Sequence, residues 1–106
     1  ELEKYKKKDF YDNHKMINFN TIYGNANYEI IAVFKTVAYT GFKYYEFIDS
    51  NSQNEFDTFI KRCKELSLYE TGRTAKYGDK LLTLTTCEYS AKNGRLVVVA
   101  KKIIAE

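Results

Sequence analysis

The stretch LLTLTTCEYSAKNGRLVVVAKKI, residues 81–103, decides how the rest of this chain is read. It consists of two strand-like runs, Leu81–Cys87 and Arg95–Ile103, and Asn93-Gly94 between them is a strong turn signal. Antiparallel pairing that sets Cys87 across from Arg95 puts both side chains on one face, with Cβ atoms about 5 Å apart. A guanidinium beside a thiol favours the thiolate, the nucleophilic form. Its planar donors also suit a carbonyl oxygen that becomes negative during acyl transfer. The pair therefore reads as half of an acyl-transfer site. Taken singly, Cys87 has the alternative of a buried structural cysteine and Arg95 that of a surface arginine at a strand end.

Thr83-Leu84-Thr85-Thr86-Cys87 resembles the TLxTC motif of sortases, the cysteine transpeptidases that attach proteins to Gram-positive cell walls. Arg95, just before Val97-Val98-Val99-Ala100-Lys101, resembles the sortase arginine. The likeness is to class B, which has a helix in the connection before the cysteine strand; here one is expected at about residues 54–66. The resemblance implies a mainly β fold with two helices, a partial sortase-type barrel of mostly antiparallel strands. It also implies that residues 1–106 are one domain, the C-terminal part of a sortase catalytic domain, with about three barrel strands outside it. Sortases use a histidine in a Gly-His-Asn type motif, which this sequence does not contain. The one histidine, His14, sits in Asp9-Phe10-Tyr11-Asp12-Asn13-His14-Lys15, which is similar to a non-catalytic segment. The chain is therefore expected to begin just after the catalytic histidine and to be inactive in this form.

In the family the thiolate attacks a Thr-containing sorting-signal peptide of a surface protein and passes the acyl group to an amine of cell-wall peptidoglycan. It needs no metal or organic cofactor. By resemblance the parent protein works on the extracellular face of the cell membrane, held by an N-terminal anchor not visible here. Thr85, Thr86, Glu88, Tyr44 and Tyr45 are the candidate substrate-binding residues beside the catalytic pair Cys87 and Arg95. Each has a plainer alternative. Thr is an ordinary strand residue, Glu88 reads equally as a solvated loop acid, and Tyr44 and Tyr45 point to opposite faces of a short strand, as core and surface residues would.

Composition narrows the classes. With 106 residues, 44% hydrophobic, ten Tyr and seven Phe, the chain has an aromatic-rich core and the size of one domain or part of one. The net charge is only +3, concentrated at Lys4, Lys6, Lys7 and Lys8, which reads as a solvated helix face and gives no nucleic-acid signature. No apolar run is long enough to span a membrane. Cys63 falls on the apolar stripe of the expected helix and Cys87 at a strand end, so a structural thiol and a reactive thiol are expected, with a Cys63–Cys87 disulfide as the minor alternative. The lack of CxxC weakens a redox role, and no His/Cys spacing suits zinc.

The whole chain reads as five strands, the two of residues 81–103 among them, and two helices. Leu2 to about Tyr11 is helix-like; Lys15 to Tyr23 alternates as a half-buried strand. Gly24–Asn27 reads as a turn, Tyr28–Val37 as a strand covered on both faces, and Lys43–Ile48 as a short strand. Ser52-Gln53-Asn54-Glu55 has capping-box spacing, and Phe56, Phe59, Ile60, Cys63 and Leu66 make one helical stripe. Ser67–Lys80 reads as a polar, mobile loop. A barrel short of its first strands exposes sheet edges, which favours a homodimer, so a non-catalytic peptide-binding or self-associating chain is the second functional class.

Overall fold

The computed structural model describes residues 2–22, 24–37, 53–88 and 92–103, without the side chains of 19–21. A 3-10 turn, Leu2–Lys6, leads into helix α1, Lys8–Asn13. Strands β1, Met16–Thr21, and β2, Gly24–Val37, precede helix α2, Gln53–Leu66, and the hairpin strands β3, Leu81–Cys87, and β4, Gly94–Ile103. The four strands form one antiparallel sheet in the order β1-β2-β4-β3, which is not closed.

The apolar runs of β2 and β4 explain why these two strands are central. Ile30–Phe34 and Leu96–Ala100 are all 0% exposed, which requires cover on both faces of the sheet. On one face Phe34, Val97 and Val99 pack under the α2 stripe of Phe56, Phe59, Ile60 and Cys63. On the other, Ile30, Val33, Leu96, Val98 and Ala100 pack against Tyr5 and Tyr11 from the N-terminal helical segment. A register shift between Ile30 and Ala32 puts Ile31 and Ala32 together under α2, as a bulge does by adding one residue to one strand.

Three expectations change. The N-terminal helix is two pieces, because Lys7 is extended (φ −105°, ψ 130°) and caps α1 with no side-chain hydrogen bond; the break lets both Tyr5 and Tyr11 reach the sheet. Gly24–Asn27 is strand: the turn lies one step earlier, between the paired residues Thr21 and Gly24, and Gly24 takes φ +122°. The asparagines that suggested a turn are cross-strand partners, with Asn18 Nδ2 donating to Asn27 Oδ1 at 2.7 Å. Residues 67–80 carry no strand or helix but are tied down. Leu68 N donates to Val33 O (2.7 Å), Val33 N to Ser67 Oγ (3.1 Å) and Thr71 Oγ1 to Ile31 O (2.8 Å). This segment covers the part of β2 that β1, paired only as far as Glu29, leaves bare. The expected strand at Lys43–Ile48, Tyr44 and Tyr45, and the capping residue Ser52 lie outside the described residues.

Candidate active site

The β3–β4 register runs from Leu81↔Lys101 to Cys87↔Arg95, so the expected opposition of thiol and guanidinium is the one the sheet adopts. Glu88 N donates to Gly94 O at 3.0 Å. That makes 88/94 a hydrogen-bonded pair and 87/95 the neighbouring pair without ladder bonds, the kind whose Cα atoms approach to about 4.5 Å and whose side chains are closest. Asn93, at φ 59°, turns the chain into Gly94, a left-handed position that Asn tolerates better than most residues. Cys87 is exposed and Arg95 half-buried, on the sheet face that α2 covers further along. Arg95 Nη1 donates to Gly94 O at 3.0 Å, the oxygen that also accepts from Glu88 N. Thr36 pairs with Arg95 from the other side, so Cys87, Arg95 and Thr36 form one row across three strands.

The second thiol differs in every respect. Cys63 is 0% exposed under α2, and burial pushes its thiol up to about 12. The two cysteines are both free.

Thr85 is two residues before Cys87 and shares its face, exposed; Thr86, half-buried, points to the opposite face. Glu88 is not a solvated loop acid. It is 4% exposed, and its carboxylate lies on the face opposite the thiol, 3.8 Å from Lys6 Nζ and 3.7 Å from Lys35 Nζ. Its side chain therefore does not face a peptide lying over Cys87. Sequence reasoning missed the two lysines; the signal was Lys35, one charge inside the apolar run of β2. His14 ends α1, stacks on Phe10 with ring centroids 4.0 Å apart and has Nδ1 2.9 Å from Phe10 O. It precedes β1, at the opposite edge of the sheet from β3. From strand spacing and rise, its backbone is on the order of 20 Å from Cys87. Among the described residues no group of three His, Cys, Asp or Glu is placed to hold a metal ion, and no helix is long and apolar enough to cross a membrane.

No family model matches the chain. Sortase B of Staphylococcus aureus is 33% identical to it over 104 residues, and sortase B of Listeria monocytogenes 30% over 105. The crystal structure of S. aureus sortase B superposes on 99% of the chain with a TM-score of 0.84, and that of Clostridium perfringens sortase B on 97% with 0.82. Over nearly its whole length the chain is similar to class B sortases. It spans 41% and 42% of the lengths of the two curated sortases and 49% and 56% of the two crystallised chains. The sortase-like part therefore comprises the open four-stranded sheet, its two helices and the β3–β4 hairpin with Cys87 and Arg95.

Proposed function

We propose that this chain supplies the nucleophile and the oxyanion donor of a sortase-type cysteine transpeptidase. The observation that carries the reading is the pairing of an exposed Cys87 with Arg95 at the closest kind of antiparallel position. The Cys87 thiolate attacks the carbonyl carbon of a Thr-containing sorting peptide, and the oxyanion of the tetrahedral intermediate takes hydrogen bonds from Arg95. Collapse breaks the peptide bond; the departing amine takes a proton and leaves a thioester on Cys87. An amine of cell-wall peptidoglycan then attacks the thioester, forming a new amide and returning the thiolate. Thr85, on the thiol's face, contacts the peptide. Thr86 and Glu88 contribute through their backbone, and Tyr44 and Tyr45 are further proposed contacts of the peptide. The proton donor is not His14, which the sheet separates from the thiol. Support for peptide partners comes from relatives: S. aureus sortase B has been crystallised as a substrate complex, and a sortase B has been crystallised with triglycine. The place of action is the outer face of a Gram-positive cell membrane.

The test is a chimera joining the N-terminal part of S. aureus sortase B to this chain, assayed on Thr-containing sorting peptides. Cleavage that Cys87→Ala abolishes is expected. A folded chimera that binds the peptide without cutting it, or a Cys87→Ala variant that still cuts, overturns the reading. One observation favours self-association as a second reading. Among the described residues β3 is an edge strand, paired with β4 in a sheet that is not closed, and edge strands are where chains add to one another. Light scattering on the chain alone decides it, since a dimer is expected and a monomer refutes it.

A further inference from the structure

The residue after the thiol is the one buried charged side chain among the described residues. Burying a carboxylate is costly unless it is paired, and an apolar residue in its place is often as stable or more so. Glu88 is paired twice. Its Oε1 lies 3.8 Å from Lys6 Nζ and its Oε2 3.7 Å from Lys35 Nζ, which brings the N-terminal 3-10 turn and β2 to bear on one side chain. No buried side-chain oxygen or nitrogen among the described residues lacks a partner.

The backbone of the same residue reaches the other half of the site. Glu88 N and Arg95 Nη1 both donate to Gly94 O, each at 3.0 Å. One oxygen therefore links the peptide that follows Cys87 to the guanidinium opposite it. The side chain of Glu88 fixes the end of β3 from one face of the sheet, while its N–H fixes Gly94 O, and through it Arg95, at the edge. Without the lysine clamp, the last pair of the hairpin loses its tie to the 3-10 turn and β2 at the end of the sheet, where sheets open most readily.

We infer that Glu88, clamped by Lys6 and Lys35, is a positioning residue that holds the Arg95 guanidinium over the Cys87 thiol. This rests on the reading of Cys87 and Arg95 given under Proposed function and adds the device that keeps them in register. The Glu88 side chain touches neither substrate nor reacting atoms. It acts through Gly94 O.

The test uses this chain and reads charge beside Cys87 directly, as the ratio of its alkylation rates by iodoacetate, which is anionic, and iodoacetamide, which is neutral. A guanidinium held beside the thiol raises that ratio on the order of fivefold, the effect of one unit charge at about 4 Å in water. Arg95→Met gives the ratio without the guanidinium, and protection of Cys63 in the same molecule reports that the fold is intact. Glu88→Gln removes a negative charge, so electrostatics alone would raise the ratio or leave it. Loss of positioning lowers it toward the Arg95→Met value, by threefold or more, and this fall is the expected result. An unchanged or higher ratio with Cys63 still protected overturns the inference. Should Glu88→Gln expose Cys63, Glu88→Asp decides. It keeps the charge and shortens the reach to both lysines, so the ratio falls if Glu88 positions Arg95 and stays if it does not. A parent chain whose ratio already equals that of Arg95→Met shows that the guanidinium does not act on the thiol, and the failure then belongs to the proposed site and not to Glu88.

Discussion

Brief alkylation of the folded chain with iodoacetamide at neutral pH is expected to mark Cys87 and spare Cys63. Two independent factors set the size of the difference. Burial moves the Cys63 thiol from 9.0 to about 12, which lowers its thiolate population about a thousandfold, since each pH unit is a factor of ten. Access sets a second limit. Cys63 is 0% exposed beneath α2, so a reagent reaches it only when the helix leaves the sheet. An opening free energy of about 3 kcal/mol, modest for a packed helix, leaves that state populated less than 1% of the time. The opened state has an ordinary thiol, so the reaction takes whichever route is faster, and discrimination of at least about a hundredfold is expected. Peptide mapping after timed quenching measures both sites in one sample. Mild denaturant should accelerate the Cys63 reaction far more than the Cys87 reaction, because only the former waits on opening. Equal labelling of both thiols in a folded sample, or faster labelling of Cys63, would refute the assignment of Cys87 as the accessible thiol and the packing of α2 that protects Cys63.

Four further outcomes are expected. In the chimera with the N-terminal part of S. aureus sortase B, Arg95→Lys should lower peptide cleavage a hundredfold or more, about 3 kcal/mol, because an ammonium lacks the planar fork; a rate within threefold of the parent would make Arg95 structural. The 106-residue chain alone should not cleave a sorting peptide, and His14→Ala in the chimera should leave its rate unchanged, since His14 lies at the far edge of the sheet; cleavage by the chain alone that His14→Ala removes would refute this. Alkaline pH should unfold the chain. The Cys63 thiol is raised by burial, so its contribution is complete below about 9 and is lost as pH climbs toward 12, on the order of 4 kcal/mol, and the raised Tyr5, Tyr11 and Tyr69 act in the same direction above 10; Cys63→Ala, assayed by circular dichroism against pH, should begin to unfold at a higher pH than the parent. Thr71→Val removes the hydroxyl that bonds Ile31 O at 2.8 Å and should cost about 1–3 kcal/mol in urea titrations, with no change there showing that residues 67–71 do not secure β2.

What residue order alone determined is whatever local pattern and short-range pairing specify. The stripe Phe56, Phe59, Ile60, Cys63 and Leu66 has helical spacing and forms α2, because a helix places residues three and four apart on one side. The register that sets Cys87 opposite Arg95 was legible because a hairpin is closed by nearby residues and a one-residue slip would expose the buried valines. Contacts between distant segments were decided only in the tertiary structure. A polar run such as 67–80 gives no sign that it will cover β2, since its partners Ile31 and Val33 lie more than thirty residues earlier. Glu88 reads as a loop acid until Lys6 and Lys35 are folded around it, and whether a carboxylate is solvated or buried depends on which cations the chain carries back to it.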